Sequence, residues 1–369
     1  MKTKGLAKAK GMRLQQVIDL LAEGYANIIG KGVPVWAFPA SMLWGAPGIG
    51  KSKGILQFAS LLGEMTGKRV AVTDVRLILF NPIDLRGIPI ASADKEFAIW
   101  LRPKVFDMDA GEDAINILFL DELSSALPSV QAAAYQITLD RKIGEHRLPD
   151  NCIVVAAGNR MTDRSVAYKM PKALANRLCH FDIEADFRTW KDWAIKHGLD
   201  SKVTGFLSFK PDLLMRFDPG SDELAFPSPR SWEMVSNILL HAVSDTERAF
   251  PVIAGCIGEG AAIEFLAWVS VFGILPSIEG IFAGKEREIP QTTDALYALI
   301  SSMTLYASEH AVDEDAIERS IEYASRMPVD FATVLFKDYM QISEEMKMAL
   351  MRSQAFLTWA GRERRFFDQ

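Results

Sequence analysis

Between a short, mostly apolar run, Ser41 to Trp44, and a stretch of helical spacing, Lys51 to Met65, the chain reads Gly45-Ala46-Pro47-Gly48-Ile49-Gly50-Lys51-Ser52. This is the pattern G-x-x-x-x-G-K-[ST] in a strand–turn–helix context, and it constrains the fold more than any other feature. Glycines let the backbone curl so that several N–H groups point at phosphate oxygens. The helix that starts near Lys51 adds the positive end of its dipole. The Lys51 ammonium suits β- and γ-phosphates, the Ser52 hydroxyl suits Mg²⁺, and Lys53 on the same turn completes the set. A dinucleotide-binding loop is disfavoured, because the glycines read GxxGxG and not GxGxxG.

Two further strands end in polar residues that match this loop. Ile117 to Leu120 is a continuous apolar run, as in a strand buried on both faces, and it ends in Asp121-Glu122. At the carboxyl edge of a parallel sheet, Asp121 would hold the water shell of Mg²⁺ and Glu122 would polarise the attacking water. Acids that merely cap a strand are the alternative. Ile153 to Ala157 is a similar run, followed by Gly158-Asn159. The Asn159 amide both donates and accepts, so it suits a γ-phosphate or a water; a turn asparagine is the plainer reading.

Helical spacing also marks Arg13 to Ile29, and Arg69 to Val75 and His180 to Ile183 read as strands. Phe80 to Ile90 reads as irregular, Val130 to Leu139 as a helix, and Ile143 to Leu148 as a hairpin with Gly144-Glu145 at its tip. Alternation up to about Glu184 implies a parallel sheet sandwiched by helices. Beyond it, Phe187 to His197, Pro229 to Ala242, Gly260 to Phe272, Thr293 to Ser308, Glu314 to Ser325 and Glu345 to Trp359 all have helical spacing. The expected fold class is therefore α/β, followed by an all-α region.

Composition sets outer bounds. Of 369 residues, 49% are hydrophobic and 24% charged, the profile of a soluble globular chain. No apolar stretch approaches the ~20 residues of a membrane helix. The basic N-terminus lacks an apolar signal core, so a cytoplasmic location is expected. Cys152, Cys179 and Cys256 show no metal spacing and read as small buried hydrophobes; the five histidines show no ligand spacing either. A net charge of -6 argues against a general nucleic-acid binder.

In this order the motifs resemble those of AAA+ ATPases: Walker A at Gly45 to Ser52, Walker B at Ile117 to Glu122, sensor 1 at Asn159. Ile83-Asp84-Leu85-Arg86-Gly87-Ile88-Pro89, Lys142 to Pro149 and Val154 to Arg160 resemble the MoxR-like (AAA_5) branch, which includes phage and prophage members. Phe226-Pro227-Ser228-Pro229-Arg230-Ser231-Trp232 is similar to the start of that branch's sensor 2 helix. The resemblance covers about Leu14 to Phe272. It implies a ring, usually a hexamer, with ATP and Mg²⁺ between subunits. Arg177 matches the arginine finger, with Arg164 as competitor, and Arg230 matches sensor 2. Two pore-side insertions are implied, one within Phe80 to Phe106 in the second core helix and one at the 143–148 hairpin, with Trp100, Leu101 and the Gly144-Glu145-His146 tip as candidate substrate contacts; packing under its own loop is the alternative for Trp100.

The domain expectation is a flexible basic arm at 1–12, an AAA+ core at 13–186, a helical lid at 187–276 and further helices at 277–369. The expected function is ATP hydrolysis that remodels a client protein, with a von Willebrand factor A domain partner implied by the resemblance. The alternative is a nucleic-acid motor or DNA-restriction subunit, which the basic residues Lys2, Lys4, Lys8, Lys10 and Arg13 leave open. A nucleotide-gated binding module without turnover is disfavoured by an intact Glu122.

Overall fold

In this computed structural model, residues 11–163, 168, 170–309 and 313–362 are described. Arg164, most of the basic arm, His310 and the Phe366-Phe367 pair lie outside them. The chain divides into two compact units, residues 1–185 with 218–221, and residues 186–217 with 222–369.

The first unit is an α/β layer structure. In chain order it holds β1 (Met12–Arg13), α1 (Leu14–Gly30), β2 (Ser41–Trp44), α2 (Lys51–Thr66), β3 (Arg69–Arg76), α3 (Pro82–Arg86), β4 (Ile88–Ala91), β5 (Ala98–Leu101), β6 (Ala114–Asp121), α4 (Pro128–Leu139), β7 (Lys142–Ile143), β8 (His146–Arg147), β9 (Cys152–Gly158), α5 (Lys172–Ala175) and β10 (Cys179–Glu184). Six strands form one sheet in the order β1-β10-β2-β9-β6-β3. Every pairing in it is parallel. The expected fold class, a parallel α/β core followed by helices, is what the chain adopts.

Burial explains the central strands. All eight residues of β6 and all seven of β9 are buried, so their apolar runs are continuous and not alternating. One core layer joins Val17, Leu21 and Tyr25 of α1 and Phe58 and Leu62 of α2 to Ile117, Phe119 and Val155. The other joins Val130, Ala134 and Ile137 of α4 to Leu118, Leu120 and Val154. Alternate residues of each central strand thus serve opposite layers, as period-two geometry requires.

Three details differ from the sequence expectations in this unit. The segment read as irregular, Phe80 to Ile90, holds the short helix α3 and strand β4. Asn81 explains the helix: its backbone N–H donates to the Asp84 carboxylate at 2.8 Å, and Pro82 comes next at the first helical position. Gly87 must be glycine, since it has φ 94° and a Cβ there would lie 1.9 Å from Leu101 O. The sheet also gains a sixth strand, β1. Finally, only Cys152 is fully buried; Cys179 and Cys256 are half-buried, and all three thiols are free. Burial pushes the Cys152 thiol up to about 11.

The second unit is entirely helical among the described residues: α6 (Phe187–Lys196), α7 (Ser201–Phe209), α8 (Pro229–His241), α9 (Thr246–Ile257), α10 (Glu259–Val269), α11 (Ile278–Phe282), α12 (Thr293–Glu309), α13 (Glu314–Ala324), α14 (Val329–Ile342), α15 (Glu344–Arg352) and α16 (Gln354–Arg362). The single helix expected over Glu345 to Trp359 is two. Ser353 leaves helical geometry at ψ 127°, and its hydroxyl accepts the Phe356 N–H at 3.0 Å, which restarts the chain as α16. Helix α12 serves two hydrophobic clusters. Ala298 packs with Trp232, Phe206 and Phe265, while Leu299, Ile300 and Met303 pack with Phe336, Tyr339 and Leu350. No described helix is long and apolar enough to cross a membrane.

Candidate active site

The site is assembled by strand register. Trp44, the last residue of β2, pairs with Gly158, and Leu120 of β6 pairs with Ala156 of β9. Three adjacent parallel strands therefore end together, and the residues just past their ends share one edge of the sheet. After β2 comes the loop 45–50, after β6 comes Glu122, and after β9 comes Asn159. An open parallel sheet binds ligands at this carboxyl edge.

The loop has the backbone its glycines predict, with φ 79° at Gly48 and 99° at Gly50, and Gly50 leads directly into α2. Lys51 and Ser52 stand on the first turn, and Lys53 is next to them, exposed. The Lys51 ammonium donates to Gly45 O at 2.7 Å, Ala46 O at 3.2 Å and Asn159 Oδ1 at 3.0 Å. The Ser52 hydroxyl donates to Asp121 Oδ2 at 2.9 Å. The other Asp121 oxygen accepts the Glu122 N–H at 2.8 Å. Residues separated by more than a hundred positions thus meet in one hydrogen-bonded set.

Glu122 is half-buried and has φ 55°, a region unusual for a residue with a Cβ. Its carbonyl accepts the N–H groups of Ser125 at 2.9 Å and Ala126 at 3.2 Å, so the turn after β6 is tightly closed. Asp74 of the neighbouring strand β3 is held above the ordinary carboxylate range, first by burial and then by the charge of Asp121. Hard oxygen donors, a hydroxyl and a carboxylate in contact, form the kind of pair that suits Mg²⁺.

Arg177 is elsewhere. It precedes β10, whose first residue, Cys179, pairs with Ser41 at the start of β2. That is the amino edge of the sheet, and strand β2 alone separates it from the loop by about 10 Å at ~3.3 Å per residue. The Arg177 guanidinium lies 4.3 Å from the Tyr135 ring centroid and donates to Ala173 O at 2.6 Å. It lines a cavity of about 140 Å³ with Trp36, Phe38 and Arg141. Arg230 belongs to the second unit. It is exposed on the first turn of α8, whose start is fixed by Ser228 and Ser231: each side chain accepts the other's N–H, at 3.1 and 2.8 Å.

The two hairpins touch. His146 Nε2 donates to Trp100 O at 2.8 Å, and Gln136 Nε2 of α4 donates to Gly144 O at 3.1 Å. His146, at the tip of the second hairpin, therefore braces one hairpin on the other. The Trp100 side chain is partly buried and Leu101 is 51% exposed. Beside them Leu79, Ile83, Ile88 and Val105 line a groove of about 500 Å³. Ser124 escaped the sequence reading; its hydroxyl accepts the Asn159 N–H at 3.0 Å. Nothing local marks it, because its partner lies on another strand.

No protein-family model matches this chain, and no curated protein matches it in sequence. Among solved structures there are similarities at low identity. The Aeropyrum pernix ORC2 protein, solved as ADPNP-ADP complexes, is 13% identical over 98% of this chain and 88% of that one, with a TM-score of 0.40. A mutant of Thermotoga maritima RuvB is 13% identical over 81% and 85%, with a TM-score of 0.34. NtrX from Brucella abortus is 12% identical with a TM-score of 0.35; 63% of this chain aligns, spanning about half of that structure, 51%. Likeness at this level says nothing of a family branch, a substrate or a partner.

Proposed function

We propose that this chain is a Mg²⁺-dependent ATPase of the AAA+ type that works as a ring. The observation that carries the reading is the convergence of Lys51 with Asn159, and of Ser52 with Asp121, at the carboxyl edge of the sheet. The loop 45–50 supplies inward backbone N–H groups for phosphate, and Lys51 supplies charge for the β- and γ-phosphates. Ser52 and Asp121 would hold Mg²⁺, which neutralises charge on the phosphates. Glu122 orients and polarises the attacking water, and Asn159 fixes that water or the γ-phosphate. Lys53 remains a candidate nucleotide contact by its place on the first turn of α2.

The ring reading rests on Arg177. At the amino edge of its own sheet it cannot serve its own loop, so a charge-stabilising role requires a second copy of the chain. Arg230 as sensor 2, the MoxR-like branch, a hexamer and a protein client are finer readings that rest on the motif resemblance. The hairpins at 88–101 and 142–147 are the candidate client contacts.

The test is to measure ATPase rate and assembly size together, with and without ATP and Mg²⁺, for wild type and Glu122→Gln. The expected result is turnover in the wild type only, with an ATP-stabilised assembly of about six subunits in the variant. A chain that binds ATP yet stays monomeric in both forms would remove the ring and the trans role of Arg177. Stimulation by DNA that falls steeply with salt would move the client from protein to nucleic acid.

A further inference from the structure

Ser124 lies two residues past Glu122 and is 1% exposed. Its hydroxyl accepts the backbone N–H of Asn159 at 3.0 Å. One residue earlier, the Leu123 N–H donates to Ala157 O at 2.9 Å. Two bonds thus stitch the turn after β6 to the end of β9. The turn itself is braced from behind. Ser124 O accepts the Tyr168 N–H at 2.7 Å, and the buried Gln131 amide donates to Ala126 O at 3.1 Å. Gly158 makes the approach possible, because a Cβ there would lie 2.6 Å from the Ser124 hydroxyl and 2.8 Å from the Met42 methyl.

We propose that Ser124 is a positioning residue for ATP hydrolysis: it fixes the backbone of Asn159 relative to Glu122, so that amide and carboxylate meet one water between them. The inference rests on the ATPase reading above. Asn159 reaches Lys51 through its side chain and Ser124 through its backbone, so the Ser124 side chain links the Glu122 turn to the residue beside the phosphate site. Ser124 itself touches neither nucleotide nor water. Its effect falls on the geometry of the attack, where a displacement of about 1 Å costs on the order of 10²-fold in rate.

The experiment uses the full chain and two substitutions, Ser124→Ala and Ser124→Cys; the second keeps the side-chain size but offers a poorer acceptor. Affinity for a fluorescent ATP analogue with Mg²⁺, kcat, KM and melting temperature are measured for each. Ser124→Ala is expected to keep affinity and KM within ~3-fold while kcat falls by roughly 10–100-fold, with Ser124→Cys between it and wild type. A kcat within about twofold of wild type in Ser124→Ala overturns the proposal, and so does an affinity loss as large as the kcat loss, which would mean general loosening. Should Ser124→Ala not fold, Ser124→Cys decides: a selective fall in kcat supports the proposal and full kcat overturns it. A wild type that binds ATP without turnover would sink the ATPase reading instead. Hydrogen exchange at the Asn159 amide then carries the test, and protection unchanged in Ser124→Ala overturns it.

Discussion

Glu122 is where this chain breaks a local rule. A residue with a Cβ at φ 55° costs about 1–2 kcal/mol relative to ordinary backbone. Such strain persists only when its surroundings hold it, and here they do. Asp121 accepts the Glu122 N–H, and the Glu122 carbonyl takes two N–H groups from the next turn. Glycine would suit this backbone better but has no carboxylate. Glu122→Gly is therefore expected to be more stable than Glu122→Gln by about 0.5–1 kcal/mol, the strain relief less the extra entropy glycine loses on folding. Neither variant hydrolyses ATP in the proposed scheme. Urea unfolding of the pair checks this, and a Glu122→Gly variant no more stable than Glu122→Gln would show the turn to be unstrained. The residue scale is also where the sequence was most legible, because Lys51, Ser52, Asp121 and Asn159 are each announced by the strand or loop they terminate. Ser124 is not, since its use depends on a strand 35 positions away.

At the scale of elements, parallel pairing puts the candidate site residues on two opposite edges. The loop, Glu122 and Asn159 come after the ends of β2, β6 and β9, whereas Arg177 precedes the start of β10. Arg177→Ala is therefore expected to leave nucleotide affinity nearly unchanged and to cut hydrolysis by ~10³-fold, a barrier increase of about 4 kcal/mol. Mixing it with Glu122→Gln subunits adds a sharper readout. Each variant then supplies what the other lacks at a shared interface, so mixed assemblies should regain part of the turnover. Normal turnover by Arg177→Ala alone would send the role to another arginine. The elements themselves were legible in proportion to their periodicity. The central strands read as unbroken apolar runs because both faces are covered. Two-residue β1 has no period to read, and α7 was missed for a related reason: Val203 through Ser208 are all buried, so no polar stripe marks a helix there. The break at Ser353 depends on a cap that looks like any other serine in a helical pattern.

For the molecule as a whole, the open question is whether the lid proposed at 187–276 and the helices proposed at 277–369 fold as two bodies or one. Helix α12 argues for one, since neighbouring residues Ala298 and Leu299 belong to different hydrophobic clusters and neither cluster is complete without it. A buried ion pair makes the same connection. Lys191 of α6 lies 2.7 Å from Asp338 of α14, with side chains only 10% and 8% exposed. Burial pushes the Asp338 carboxyl up, and the Lys191 ammonium pulls it back down. Removing one partner strands a charge in a dry site, so Asp338→Ala should destabilise the helical unit by about 3–5 kcal/mol. Replacing both, Lys191→Met with Asp338→Leu, should recover most of that loss, because two apolar side chains carry no desolvation cost. If the helical unit is one body, hydrogen exchange in Asp338→Ala rises together in α6 to α10 and in α13 to α16. Loosening confined to α13–α16 would instead make the C-terminal helices a separate domain, free to carry a partner without moving the lid.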